Sequence, residues 1–114
     1  MVRAVWAFGV FHALIGSAVL FGLFHPLRDM LDAHAADLAF KGSTLQAIQG
    51  LAMTTLCARA PLASAIIAAG VTLWSAMLYV IVFTGLHPFD PAVPVGGTIM
   101  LVGWVMVLVA KAPE

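Results

Sequence analysis

The chain alternates between long apolar stretches and short polar connections. The apolar stretches cover residues 5–24, 45–57, 62–83 and 95–110. A helix needs about 20 mostly apolar residues to cross a hydrocarbon core about 30 Å thick. The first and third stretches meet this length outright, and the fourth can begin as a helix near Pro94. The pattern therefore predicts an all-α integral membrane protein.

The second stretch is the weakest of the four. Gln46 and Gln49 interrupt it, and Pro61 follows its end. Extended back through Gly42, Ser43 and Thr44 it reaches about the right length, provided that its polar side chains face other helices. We therefore predict one membrane domain, residues 1–114, built as a four-transmembrane-helix bundle with spans 5–24, 43–58, 62–84 and 95–110. Three spans plus a buried short helix is the alternative.

The connection between the first two spans has its own pattern. Leu27, Leu31, Ala35 and Leu38 recur at helical spacing, and charged residues occupy the positions between them. One face is thus apolar and the other polar. This predicts an amphipathic interfacial helix over 26–41, between helices 1 and 2, lying in the plane of the membrane surface. An ordinary surface connector is the alternative.

Composition and charge support the membrane setting. Hydrophobic residues make up 63% of the chain and charged residues 9%, against about 25% charged in an ordinary soluble domain. The formal net charge is zero, so there is no electrostatic case for a nucleic-acid partner. The single cysteine, Cys57, excludes an intrachain disulfide and a Cys-rich metal site. The sequence contains none of the common hydrolase or phosphate-binding motifs, and we expect a protein that is not an enzyme.

The distribution of basic residues predicts an orientation. With four spans, Arg3, Arg59 and Lys111 share one side with both termini, and Arg28 and Lys41 lie on the other. Because the side with more Lys and Arg faces the cytoplasm, we expect both termini to be cytoplasmic in a bacterial inner (plasma) membrane.

The candidate chemistry centres on His12. This residue lies about halfway along the first span, on the same face as Gly9 and Gly16, and an ionisable group at that depth is a functional hypothesis by default. Gln46 and Gln49 share a face of the second span and are its candidate partners. Such a cluster could bond a quinone carbonyl, relay a proton or hold a cofactor. The alternative is an interhelical hydrogen bond with only a packing role.

Two further cofactor hypotheses have less support. Haem would need Met53 or Met77 as a second ligand beside His12, since no second histidine lies at that depth. His25 and His87 could meet a carboxylate near the outer surface and hold zinc, but each precedes a proline and so marks a helix end. We therefore expect no metal site and no resident cofactor.

Small residues indicate how the helices could pack. Inside lipid, close backbone approach and interhelical hydrogen bonds drive helix association. The predicted helix-packing residues are Gly9, Gly16, Ala68, Thr72, Ser75 and Tyr79.

Three segments together resemble a known family. They read HPLRDMLDAHAADLAFKGSTLQ from His25, AGVTLWSAMLYVIVFTG from Ala69, and VPVGGTIMLVGWVM from Val93. The chain resembles the DUF423 family, the domain of unknown function numbered 423, and the similar transmembrane-protein-256-like family. The matching positions are His25, Leu27, Leu31, Gly42, Gln46, Gly70, Ser75, Leu78, Tyr79, Thr84, Gly85, Pro94, Gly96, Gly97, Gly103 and Trp104.

The resemblance implies a small four-helix inner-membrane protein and brings no established activity. The chain departs from the family at two positions. Gln49 stands where relatives usually have histidine, and Pro26 stands where they usually have glycine. A metal or proton role of that histidine in relatives would therefore be in doubt here.

These observations predict a non-catalytic accessory or assembly subunit of a larger membrane protein complex. A respiratory or photosynthetic electron-transfer complex is the partner class to test first. The alternative is a small redox or quinone-binding membrane protein using His12, Gln46 and Gln49, and a homo-oligomeric pore is a weaker one.

Overall fold

The computed structural model describes residues 1–88 and 90–110. Lys111, which contributes to the predicted orientation, lies outside them. Five helices account for most of the described chain. They are α1 (Val2–Leu23), α2 (Pro26–Met30), α3 (Ala33–Leu56), α4 (Pro61–Thr84) and α5 (Ala92–Val109).

Three of these helices are long and apolar enough to cross a membrane: α1, α4 and α5. Their bounds follow from local chemistry. Pro61 is the first residue of α4, where its missing N–H costs nothing. Gly85 ends α4 with φ of 70°, a left-handed conformation that glycine adopts without strain. The expectation of an all-helical protein with apolar helices of membrane-spanning length is confirmed for these three helices.

The segment between α1 and α3 differs from the prediction. The helix predicted over 26–41 is divided in two, because Leu31 is extended and the Asp32 carboxylate accepts a 2.7 Å hydrogen bond from the Ala35 N–H. An aspartate in this position caps a new helix, which the apolar spacing alone did not reveal.

From Ala33, α3 continues to Leu56 without a break. The predicted second span, 43–58, is therefore the later part of a longer helix rather than a separate element. The 24 residues of α3 correspond to a length of about 36 Å at about 1.5 Å per residue. Asp37 and Lys41 form an exposed 2.9 Å ion pair in its early part, and such polar positions make α3 less apolar than the other long helices.

The four long helices pack in an antiparallel order along the chain. Extensive contacts join α1 to α3, α3 to α4, and α4 to α5, whereas α1 and α4 touch only along a narrow line. The described part of the chain is therefore an open arrangement with a seam between α1 and α4.

Glycines set the closest helix contacts. A Cβ on Gly9 would lie 2.8 Å from the carbonyl oxygen of Gly50, and one on Gly16 would lie 2.7 Å from that of Ser43. A Cβ on Gly70 of α4 would lie 2.7 Å from the carbonyl oxygen of Gly96 in α5. Real Cβ atoms do not approach backbone so closely, so these pairs depend on glycine.

The α1–α3 contacts also fix relative depth. Gly9 lies against Gly50, and Gly16 lies against Ser43 and Ala47. The two helices are antiparallel, because later residues of α1 lie against earlier residues of α3. Residues 43–50 are therefore at the level of the middle of α1.

The interior contains two apolar clusters. The larger joins all four long helices through Val5, Met53, Cys57, Ile67, Ala68, Val71 and Met100. The smaller joins Leu23, Ala39 and Val82 near the α2 end of the molecule. Polar side chains occupy the space between them.

Candidate functional site

A chain of hydrogen bonds crosses the bundle at His12. This side chain is 2% exposed, and both of its ring nitrogens have partners. Nδ1 lies 2.9 Å from Nε2 of Gln46 in α3, and Nε2 lies 2.9 Å from Oγ1 of Thr72 in α4. The chain continues to Tyr79, whose hydroxyl donates a 2.5 Å bond to Oε1 of Gln46. We call Thr72, His12, Gln46 and Tyr79 the polar network.

The hydrogen bonds of the polar network all run the same way from donor to acceptor, from the Tyr79 hydroxyl to the Thr72 oxygen. The Gln46 amide accepts from Tyr79 through its oxygen and donates to His12 through its nitrogen. Nδ1 of His12 must then be an acceptor, so the proton of the neutral imidazole lies on Nε2. Nε2–H in turn donates to the Thr72 oxygen. The hydroxyl hydrogen of Thr72 is therefore not used by this bond.

Gln49 stands apart from this network. Its Oε1 accepts a 2.7 Å bond from the indole Nε1–H of Trp104 in α5. Of the predicted cluster, the structure thus brings His12 and Gln46 together, while Gln49 links α3 to α5. Gln49 is 5% exposed, so this bond also satisfies a polar group away from water.

The geometry bears on the haem hypothesis. Both ring nitrogens of His12 are engaged, one by Gln46 and one by Thr72. An iron ligand needs a free nitrogen lone pair. Haem ligation by His12 would therefore require the network to break.

The predicted helix-packing residues divide into two groups. Gly9 and Gly16 lie at the α1–α3 contact, and Ala68 lies in the larger apolar cluster. Ser75 donates a 2.6 Å bond to the Val71 carbonyl of its own helix. Thr72 and Tyr79, by contrast, belong to the polar network.

Thr72 and Tyr79 were predicted as packing residues, and their link to His12 and Gln46 was missed. A signal was present, because the two positions are seven apart and so share a face of α4. The bond from Trp104 to Gln49 was not predicted either. The Trp104 indole N–H had to find an acceptor once the ring was partly buried.

The histidines near the helix ends do not come together. His25 Nδ1 lies 3.1 Å from the Phe21 carbonyl oxygen, and His87 Nδ1 lies 2.9 Å from Asp90 Oδ1 on the exposed surface. Within residues 1–88 and 90–110 there is no group of three or more His, Cys, Asp or Glu side chains that could hold a metal ion.

Two grooves flank α1 on opposite sides. The α1–α4 groove has a volume of about 610 Å³ and follows the open seam. Its walls include Ala4 and Phe8 of α1 and Ala65, Ala69, Thr72 and Ala76 of α4. The α1–α3 groove has a volume of about 550 Å³. Its walls include Trp6, Ala13, Leu14 and Ser17 of α1 and Leu51 and Thr54 of α3.

The α1–α4 groove meets the polar network at Thr72. This residue is exposed and lines the groove, while His12 behind it is buried. An apolar groove thus has one hydroxyl on its wall, and that hydroxyl is hydrogen-bonded to a chain that continues into the bundle.

The chain is similar to a protein that is itself named as a membrane protein. It is 29% identical over 93 residues to a UPF0382 membrane protein of Staphylococcus aureus (strain bovine RF122 / ET3-1), an alignment that covers 75% of this chain and 76% of the relative. No family model matches the chain, and no solved structure matches it. The resemblance to DUF423 therefore stays a prediction. The apolar helices and this similarity together identify an integral membrane protein.

Proposed function

We propose that the protein spans the bilayer four times and acts as a non-catalytic accessory or assembly subunit of a larger membrane complex. The fourth span is α3. Its residues 43–50 lie against the middle of α1, and α1 is itself long and apolar enough to cross. The membrane is a bacterial inner membrane with both termini on the cytoplasmic side, as the basic residues favour.

The observation that carries the accessory role is the α1–α3 groove. Ala13 and Ser17 lie one turn apart on α1, and Thr54 of α3 faces the same space. Small residues at this spacing let another transmembrane helix approach closely. The groove has the form of a helix-docking site. An electron-transfer complex is the first partner class to test.

The test is recovery of the tagged protein from its native membrane in a mild detergent, followed by native gel electrophoresis and mass spectrometry. We expect the chain to migrate with a much larger complex. Ser17→Leu should reduce this association by at least several-fold, because the added side chain fills the groove.

Ala18→Leu is the matched control. Ala18 is the next residue, is also small and exposed, and does not line the groove. Recovery of wild-type protein only as a monomer or homo-oligomer would contradict the accessory role. Equal loss of association in both variants would contradict the groove as the docking site.

A second candidate function is the binding of a quinone or related lipophile, without a catalytic step of its own. The meeting of the α1–α4 groove with the polar network at Thr72 favours it. Binding of a short-chain quinone by the purified protein in lipid nanodiscs tests this function, and absence of saturable binding contradicts it. The two functions use different sides of α1 and are independent of each other.

A further inference from the structure

We propose that the Thr72 hydroxyl donates a hydrogen bond to a ring carbonyl of a lipid-soluble quinone seated in the α1–α4 groove. This inference rests on the second function above. It adds the atom that recognises the ligand and the depth at which the ligand is held.

Thr72 is bonded unlike the other threonines of the chain. Thr44, Thr54, Thr55, Thr84 and Thr98 each donate to a backbone carbonyl three or four residues earlier in their own helix. Such a bond is the usual way for a helical threonine in lipid to satisfy its hydroxyl. Thr72 instead bonds to His12 of another helix.

The bond between His12 and Thr72 has a defined donor and acceptor. Because Gln46 donates to Nδ1 of His12, it is Nε2–H of His12 that donates to the Thr72 oxygen. Within residues 1–88 and 90–110 the Thr72 hydroxyl makes no other hydrogen bond, so its hydrogen can point into the groove that the residue lines. A hydrogen bond accepted by a hydroxyl strengthens the bond that it donates. The groove therefore offers a donor and selects a ligand with an acceptor.

The depth of Thr72 limits which ligands can reach it. Thr72 is midway along α4, which runs from Pro61 to Thr84, so it lies near the centre of the bilayer. The ester carbonyls of phospholipids lie at the edge of the hydrocarbon core, about 15 Å away. A carbonyl at the level of Thr72 must belong to a molecule that is soluble in the core. A quinone has two carbonyls on an apolar ring and fits this requirement.

The size of the groove suits a small ligand. Its α4 wall runs from Ala65 to Ala76, about 16 Å at about 1.5 Å per residue. The volume of about 610 Å³ is within the range of small-ligand pockets, about 300 to 1,000 Å³. The groove thus has room for a quinone ring and the first part of its tail.

The experiment is photolabelling of the full chain in phosphatidylcholine nanodiscs with an azido-ubiquinone, competed by decylubiquinone. Mass spectrometry of the digested protein maps the label, and the competition curve gives the apparent Kd. We expect saturable labelling on the groove walls of α1 and α4. Thr72→Val should raise the apparent Kd of decylubiquinone by about 5- to 10-fold, as expected for loss of one neutral hydrogen bond. Thr72→Ser should retain the affinity of the wild-type protein.

Three further variants separate this effect from loss of fold. Thr98→Val removes an exposed hydroxyl that bonds only within α5 and should leave the affinity unchanged. Ala69→Phe fills the groove and should abolish labelling, whereas Val102→Phe on the exposed face of α5 should not. Circular dichroism of each variant confirms that its helices form.

The outcomes are distinguishable. No saturable labelling of the wild-type protein overturns the second function, and this inference with it. Saturable labelling with equal affinity in Thr72→Val, or label confined to helices other than α1 and α4, leaves quinone binding intact and overturns the role of Thr72. Equal competition by decylbenzene, which has no carbonyl, also overturns that role, because it shows that the groove holds only hydrocarbon.

Discussion

At the scale of single residues, the molecule is organised by how it satisfies a histidine away from water. An ionisable side chain inside a membrane is costly unless it has partners, and His12 has one on each ring nitrogen. Those partners lie on α3 and α4. The network therefore joins three helices through hydrogen bonds rather than through apolar contact alone.

Tyr79→Phe tests the strength of this network. The variant keeps the ring and removes the bond to Gln46, so it should lower the free energy of unfolding by about 0.5 to 1.5 kcal/mol. Unfolding in mixed micelles by titration with dodecyl sulfate measures the change. In a Gln46→Leu background the same substitution should cost clearly less, because its partner is already absent. Equal costs in both backgrounds would show that the bond contributes nothing.

Only part of the polar network could be predicted from the sequence. The pairing of His12 with one of two glutamines was predictable, because polar groups at the same depth in apolar spans have few alternatives. The choice of Gln46 over Gln49 was not. The two side chains lie only about 60° apart around the helix axis, at about 100° per residue, and only the rotation of α3 decides which one faces α1.

At the scale of elements, glycine contacts determine which helices are neighbours. Gly16 lies against Ser43 and Ala47 of α3, and the small residues of the first span predicted a contact face there. The sequence did not indicate which helix would fill that face, since α3 and α4 both carry small residues.

Gly16→Ala and Gly97→Ala form a matched pair for this contact. A Cβ at Gly16 would lie 2.7 Å from two backbone atoms of α3, whereas one at Gly97 has its nearest neighbour at 3.9 Å. We expect Gly16→Ala to destabilise the fold by about 1 to 3 kcal/mol through overpacking. Gly97→Ala should be neutral or stabilising by up to about 1 kcal/mol. The same micelle titration measures both, and equal effects would contradict the close α1–α3 approach.

The break between α2 and α3 gives a second prediction at this scale. Asp32 caps α3 through the Ala35 N–H, so Asp32→Ala should cost about 0.5 to 2 kcal/mol and speed hydrogen exchange at the first amides of α3. Asp29→Ala, in the short helix before the break, is the control. Unchanged hydrogen-exchange rates at the first amides of α3 in Asp32→Ala would favour the continuous helix over 26–41 that the apolar spacing predicted.

At the scale of the whole molecule, the arrangement is an open set of four long helices. The sequence predicted the number and approximate places of these helices, because apolar length and proline positions carry that information. It did not reveal the seam between α1 and α4. Such a seam depends on which pairs of helices approach most closely. Here the glycine contacts hold α1 against α3 and α4 against α5.

The depth of α3 is the claim on which the rest depends, because it places the polar network inside the membrane. Spin labels at Ile48 of α3 and Leu14 of α1, introduced as single cysteines in a Cys57→Ala background, test it by power-saturation measurements in lipid vesicles. Both side chains are exposed to the surroundings, and both lie in the part of the α1–α3 pair that the glycine contacts bracket. If α3 crosses the bilayer, both labels will collide readily with oxygen and poorly with a water-soluble nickel chelate, to the same degree. A label at Ile48 that is open to nickel while Leu14 is protected would contradict the account.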